Sequence, residues 1–294
     1  MADILLMGGS SFIGRNIIEQ LARRHNIISP GRTELDVLDA EAVKRFIKAH
    51  DFKVVIHAVN VGGNRRNPGP PNMVELNLRM FFNTVRCKDY FGKMIYFGSG
   101  AEYGKQAAIC QVREEDFDVR MPVDPYGFYK YTCAKYTEKI DNIICLRLFG
   151  CYGKYEDYEF RFISNAICKT VFGMPITLNN KNVMFSYLYV DDLIRVVDHF
   201  ISHEGSHKIY NVTPDERVDL LTIAKIIQEL SDGETKIESR VSGVGPEYSG
   251  DNARLKSEIT GLEFTAIKDG INRLYSWYKE NKHTIDKGKL YFSG

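Results

Sequence analysis

The first half of the chain alternates short apolar runs with longer stretches whose apolar residues recur every three or four positions. Ile4–Met7 is uninterrupted by polar residues and predicts a buried strand. In Phe12–Arg24 the residues Ile13, Ile17, Ile18 and Leu21 share one helical face. The rhythm then repeats: a strand at Asn26–Ser29, a helix at Asp39–His50 with Asp39 as N-cap, and a strand at Lys53–His57. A helix at Met73–Cys87, a strand at Lys93–Phe97, a long helix at Pro125–Lys139 and a strand at Asn142–Leu146 complete it. Short apolar strands that alternate with helices need crossover connections, which lay the strands side by side in a parallel sheet covered on both faces. The expectation is an α/β protein built on a doubly wound parallel sheet.

Beyond Gly153 the rhythm changes. Glu156–Phe172 reads as a helix, Pro175–Leu178 and Asn182–Leu188 as short strands, and Asp191–His203 as a helix. Lys208–Asn211 reads as a strand ahead of a turn at Thr213-Pro214, and helices follow at Asp219–Leu230 and Ala266–Lys282. The stretch from Gly233 to Gly250 is loop-rich. This predicts one domain from residues 1–154 with about 186–212, and a smaller α/β lobe from 155–185 and 213–294. The chain crosses between them more than once, and the cleft they form is the expected ligand site.

Composition narrows the classes. With 44% hydrophobic and 26% charged residues, a core needs no staples. A net charge of +1 offers no field to draw nucleic acid or an acidic membrane surface, so an anionic small ligand has to be held by local groups. No run approaches the roughly 18 apolar residues of a membrane helix. The opening MADILLMGGSSFIG lacks the basic leader and unbroken apolar stretch of a signal peptide. The 6 cysteines, Cys87, Cys110, Cys133, Cys145, Cys151 and Cys168, form no CxxC pair and no cluster with histidine. That argues for reduced, mostly buried thiols in a cytoplasmic protein, and against disulfides or a metal site.

Gly8-Gly9-Ser10-Ser11-Phe12-Ile13-Gly14 ends the first strand and opens the first helix. Gly8 permits a tight turn, Gly14 close packing of helix on strand, and the helix N-terminus offers free amides to a pyrophosphate. The turn resembles the TGxxGxxG motif of the extended short-chain dehydrogenase/reductase family, whose members modify nucleotide sugars. Ser11 stands where the family usually has its middle glycine. The resemblance implies a Rossmann-type sheet and a nicotinamide dinucleotide held by Gly8, Ser10, Ser11, Phe12, Ile13 and Gly14. Past the second strand, Ser29-Pro30-Gly31-Arg32-Thr33 has no acid to hold an adenosine ribose, and Arg32 suits a 2′-phosphate by charge and fork geometry. The cofactor expected is NADP(H), with NAD(H) as the alternative. Asp36-Val37 and Asp39 resemble the family's Asp-x-x-Asp segment, with Asp36 toward the adenine and Asp39 explained as a cap. His57-Ala58-Val59-Asn60 resembles its His-x-Ala-Ala turn, so that Ala58 and Val59 would lie along the cofactor while His57 is a strand-end residue. Gly62-Gly63 suits a bent loop near the cleft. Asn77 to Asn83 resembles the NxxGTxN helix, and Asn77 is a cofactor-side residue.

Tyr126-Gly-Phe-Tyr-Lys130 places a phenol and an ammonium one helical turn apart. A phenol with a pKa of about 10 is a poor acid–base near neutrality, and an adjacent cation favours its ionised form. A hydroxyl to orient the substrate oxygen stands after the fourth strand, at Ser99 in Tyr96-Phe-Gly-Ser99-Gly-Ala-Glu-Tyr103-Gly104. The order of glycine turn, serine and Pro125-Tyr126-Gly127…Lys130 resembles the family's motif series, which implies Ser99, Tyr126 and Lys130 as the catalytic group. Lys130 would also hold the nicotinamide ribose. Leu146-Arg147-Leu148-Phe149-Gly150-Cys151-Tyr152-Gly153 resembles LRxxNxYG, with Phe149 beside the nicotinamide and Gly150 in place of a substrate-contacting asparagine. Tyr187-Leu-Tyr-Val-Asp191-Asp192 resembles the segment that precedes a helix, and the two acids are read as its caps rather than a metal pair.

The resemblance also sorts reactions. The family's 4,6-dehydratases carry an Asp-Glu pair where this chain has Gly100-Ala101, and its GDP-fucose-forming epimerase-reductases a cysteine where it has Ala101. Ala101 and Gly150 would thus border the sugar, while Arg161 and Arg254 are the candidate cations for a sugar diphosphate. The expected function is reduction of a 4-keto nucleoside-diphosphate sugar. A 4-epimerase with tightly held NAD is the alternative, and a non-catalytic NAD(P) sensor the second. No nucleic-acid or membrane partner is expected, and a homodimer through the Tyr126 helix is compatible with the pattern.

Overall fold

The computed structural model describes residues 1–62, 68–178, 181–231 and 233–291. The six apolar runs form one parallel sheet from β1 (Asp3–Met7), β2 (Asn26–Ile28), β3 (Val54–His57), β4 (Lys93–Ser99), β5 (Ile143–Leu148) and β6 (Ile209–Val212). Their spatial order is β6-β5-β4-β3-β1-β2. From β1 the chain winds one way to β2, then returns past β1 to β3 and continues the other way. This reversal opens a crevice at the carboxyl ends of β1 and β3, where Met7 and His57 lie side by side.

The helices run α1 (Phe12–Leu21), α2 (Ala40–Lys48), α3 (Met73–Val85), α4 (Pro125–Thr137), α5 (Phe162–Val171), α6 (Val190–Ser202), α7 (Leu220–Glu229), α8 (Ala253–Glu258) and α9 (Ile267–Glu280). Alternation along the strands sends Leu5, Met7, Val55, Met94 and Cys145 to the face covered by α2, α3 and α4. Ile4, Leu6, Ile56, Phe97 and Leu146 go to the face covered by α1 and α6. Both faces are dry, which is why the strands read as unbroken apolar runs. Asp39 caps α2, its Oδ1 accepting the amides of Glu41 and Ala42 at 2.9 Å.

A third core gathers Tyr152, Tyr189 and the apolar faces of α5, α7 and α9. Around it lie two short parallel pairs, Gly150–Tyr152 with Tyr187–Tyr189 and Ile176–Leu178 with Ile237–Ser239. A four-stranded sheet runs Val218–Asp219, Asn182–Phe185, Val244–Gly250, Ile109–Val112. No helix among the described residues is long and apolar enough to cross a membrane.

Several elements depart from expectation. The helix expected from Glu156 begins at Phe162, because Tyr155, with φ 68°, turns the chain and the Glu156 side chain folds back onto Ser164. The stretch expected as loop-rich holds two strands. Val244–Gly250 forms despite its glycines and proline because ladder partners flank it on both sides. The single strand expected at Asn182–Leu188 breaks at Ser186 into pieces of different sheets. Asp191 and Asp192 do not cap α6 but sit in its first turn, where Asp191 accepts from Gln20 and Asp192 from the amide and hydroxyl of Thr265. Gly62 bends at φ 70°, while Gly63 lies outside the described residues.

Candidate active site

The turn from β1 into α1 forms one wall. Gly8 adopts φ 97°, and a Cβ there would stand 2.8 Å from the Ala58 carbonyl oxygen. A Cβ at Gly14 would stand 2.1 Å from the Gly8 oxygen, so α1 packs directly onto the turn. Ser11 is the N-cap of α1, its Oγ accepting the Gly14 amide at 3.1 Å. The other first-turn amides have no intrahelical acceptor and carry the positive end of the helix dipole. Ser11, Phe12 and Ile13 face His57, Ala58, Val59 and Asn60 across a cleft of about 230 Å³. A bare backbone cradle under helix-end donors fits a dinucleotide pyrophosphate.

The far wall is Phe97, Gly98 and Ser99 from β4, Tyr126 and Lys130 from α4, then Leu148, Phe149 and Cys151, with Arg161 at the lip. Asp124 caps α4 through the Gly127 amide (2.9 Å), and Pro125 starts it. A Cβ at Gly127 would stand 2.9 Å from the Ala101 oxygen, so α4 lies close on the turn after Ser99. Lys130 is buried, and its Nζ donates to the Phe97 carbonyl oxygen at 2.5 Å. It stands 4.7 Å from the Tyr96 ring centre, 5.3 Å from that of Tyr129 and 6.0 Å from that of Tyr126.

Ser99 is buried, and its surroundings fix it. Its amide donates to Glu102 Oε1 at 2.8 Å and its Oγ accepts the Ala101 amide at 3.2 Å. Glu102 pairs with Arg147 at 2.5 Å, both wholly buried. Arg147 also donates to Tyr103, whose hydroxyl donates to Asn211. Burial pushes the Glu102 carboxyl above its usual range, opposed by the Arg147 charge and the Ser99 amide. His57, buried against Phe81 and Tyr96, has its pKa pushed down to about 4, by burial first and the Lys130 charge second. It is neutral and serves as wall.

Thus Ser11, Phe12, Ile13, Ala58, Val59, Ser99, Tyr126, Lys130, Phe149 and Arg161 meet in one cleft, framed by Gly8 and Gly14. The remaining expected site residues lie around it. Ser10 is exposed on the turn, and Arg32 and Asp36 are exposed beyond β2, Asp36 holding the Leu38 amide. Val37 packs on the core. Asn77 grips Val61 through both backbone groups at 2.9 Å. Ala101 is buried under Ser99, and Gly150 pairs with Tyr187. Arg254 is engaged by Glu115, by Glu114 at 3.8 Å and by the Ile209 oxygen at 3.1 Å, and does not line the cleft. Asn60, read from the sequence only as the end of the turn after β3, accepts the Tyr129 hydroxyl, and Tyr248, packed against Phe149, carried no sequence signal.

Residues 4–213 match the family described as NAD dependent epimerase/dehydratase. The chain is 23% identical over 261 residues to an ADP-L-glycero-D-manno-heptose-6-epimerase of Brachyspira hyodysenteriae, covering 77% of this chain and 80% of that one. It is 38% identical over 174 residues to a GDP-L-fucose synthase of Azorhizobium caulinodans, 54% of each chain. Among solved structures, a GDP-mannoheptose C4 reductase from Campylobacter jejuni with NADP bound superposes with a TM-score of 0.81 at 20% identity, over 95% of this chain and 98% of that one. A UDP-glucose 4-epimerase with UDP-glucose from Thermotoga maritima gives 0.82 at 18%, over 95% and 99%.

Proposed function

This chain belongs to the NAD dependent epimerase/dehydratase family, and from that premise we propose that it is an NADP(H)-dependent reductase of a 4-keto sugar carried by a nucleoside diphosphate. The observation that carries this is the convergence of Ser99, Tyr126 and Lys130 on the cleft that α1 opens into. The dinucleotide, when bound, supplies a hydride to the carbonyl carbon. Tyr126 gives its phenolic proton to the carbonyl oxygen, and Ser99 donates a hydrogen bond that orients that oxygen. The Lys130 ammonium, 6.0 Å from the Tyr126 ring centre, faces the negative charge that the proton leaves behind. Phe149, Leu148 and Phe97 keep water from the reacting carbon. Arg161, its side chain 63% exposed and only 3.8 Å from the carboxylate of Glu156, can turn toward a diphosphate.

Preference for NADP(H) is supported by the loop after β2. Glu34 turns back onto the Gly31 amide at 2.7 Å and Asp36 onto that of Leu38 at 3.0 Å. Arg32 is exposed and has no hydrogen-bonded or ionic partner among the described residues, leaving its guanidinium available to a 2′-phosphate.

The test is a panel of nucleotide sugars, with and without a 4-keto group, assayed for NADPH consumption. Net consumption with 4-keto sugars alone is expected. Interconversion of sugars without net consumption would mark an epimerase, and dinucleotide binding without turnover a sensor. Arg32→Ala should weaken NADPH about 10-fold or more and spare NADH; equal losses would remove the 2′-phosphate role.

A further inference from the structure

A second cavity, of about 420 Å³, opens in the lobe and shares no lining residue with the cleft beside α1. It lies where the end of α5 meets the parallel pair Ile176–Leu178 and Ile237–Ser239. Ile176, Leu178 and Ile237 turn toward the third core. Their neighbours Thr177 and Glu238, paired in register, therefore face outward together and line the cavity. Arg240 lines it as well, and its side chain is exposed and has no hydrogen bond or ion pair among the described residues. Leu290 and Tyr291, near the end of the described chain, complete an apolar border with Met174.

Lys169, in the last turn of α5, lines this cavity with only 5% of its surface exposed. Its ammonium has no hydrogen bond and no ion pair among the described residues. The carbonyls that end α5 are already engaged: those of Cys168, Lys169 and Thr170 accept the amides of Phe172, Gly173 and Met174. Burial pushes the Lys169 pKa down, and the Glu238 carboxylate offsets this only in part. A cation withdrawn from water without a partner costs stability. A side chain kept at that cost, facing a cavity of ligand size, marks a place where a ligand supplies the missing counter-charge. Two cations against one carboxylate favour an anion, and an ammonium beside a guanidinium suits phosphate oxygens. The carboxylate of Glu238 accepts only from donors such as hydroxyls, which a bare phosphate dianion lacks. We propose that this cavity binds a phosphate monoester of a polyhydroxylated carbon chain, with the phosphate on Lys169 and Arg240 and the hydroxyls on Glu238 and Thr177.

Calorimetric titration of the full chain with glucose 6-phosphate tests this, with glucose and inorganic phosphate as the two halves of the probe. Glucose 6-phosphate should bind more tightly than either half, and equally well with or without saturating NADPH. Lys169→Met should weaken it about 10-fold or more, the scale of a lost hydrogen bond to a charged group. Lys236→Met removes an exposed lysine outside the cavity and should leave the affinity unchanged. No binding, parental affinity in Lys169→Met, or an affinity no better than that for inorganic phosphate would overturn the proposal. Displacement by NADPH or by UDP-glucose would place the anion in the cleft beside α1 and overturn it as well. A second measurement needs no ligand. Lys169→Met replaces an unpaired buried cation with an apolar chain of similar length, so its melting temperature should rise by about 2–4 °C. An equal or lower melting temperature would mark Lys169 as a structural residue and refute the site. Neither measurement uses turnover, so both outcomes stand apart from the reductase reading.

Discussion

Tyr126 is one of several phenols around Lys130, and its surroundings set it apart. Tyr96 and Tyr129 are buried, and burial holds both phenols far above their usual range. Tyr129 is further tied to Asn60, whereas Tyr126 borders the open cleft. Tyr126→Phe should therefore lower turnover by on the order of 10²–10⁴ while leaving dinucleotide affinity intact. Lys130→Met should do similar damage and weaken the dinucleotide as well. Tyr103 is a poor control for this experiment because it joins Arg147 to Asn211; Tyr131, half-buried, away from the cleft and bonded to Asp118, is the better one, and Tyr131→Phe should keep near-parental turnover. The pair beneath Ser99 sets a different prediction. Arg147→Met leaves the buried Glu102 carboxylate unpaired, which should cost about 3–5 kcal/mol in urea unfolding. Adding Glu102→Gln should recover a good part of that; a double variant as damaged as the sum of the singles would show that the pair is not coupled.

At the scale of elements, α1 and α5 carry the sharpest expectations. A Cβ 2.1 Å from the Gly8 oxygen cannot be absorbed without moving α1, so even Gly14→Ala should abolish dinucleotide binding and lower the melting temperature. Calorimetric titration with NADPH checks it, and parental affinity would refute the cradle. The turn into α5 hides Glu156, which accepts the Ser164 hydroxyl at 2.6 Å. Burial raises its pKa from 4.5 to about 7, against Arg161 and the Ser164 bond, with Asp157 adding to the rise. The folded value lies above the unfolded one, so the stabilisation is full below about pH 4.5 and is lost as the pH climbs to 7. Unfolding free energy should fall over that window by at most on the order of 3 kcal/mol, and Glu156→Gln should flatten the fall. A parent and variant with parallel pH profiles would exclude it. The elements themselves were unequally legible. Ile4–Met7 and Lys93–Phe97 were readable because dry faces on both sides demand unbroken apolar runs. Ile109–Val112 was not: it carries an exposed Cys110 and a Gln111 at φ 45°, and only its partner strand makes it a strand. Val244–Gly250 was hidden by residues that usually mark turns, and Tyr248 was hidden with it.

Over the whole molecule, the motif series was legible because it sits where strand ends meet helix starts, positions that sequence spacing reports directly. The joining of lobe and sheet was not, since it depends on pairings distant in sequence. The outer surface beside α4 bears Val119, Met121 and Val123, all more than half exposed, with Phe128 and Tyr136 two turns apart on the helix. A homodimer through this face is the expected occupant, and Phe128→Asp combined with Met121→Lys should reduce the mass seen by light scattering to that of one chain; an unchanged mass would exclude this face. The pairing of Ile109–Val112 with Val244–Gly250 also imposes a timetable on biosynthesis. The early strand leaves the ribosome long before its partner is translated, and at about 5–20 residues per second the wait is on the order of ten seconds. During that interval the nascent sheet holds its glycine turn and its Tyr126 helix, but Ile109–Val112 stands as an open edge. The glycine turn can thus form before the lobe strand that packs on Phe149 has been made, and the same open edge is where a chaperone or an unwanted strand would first attach.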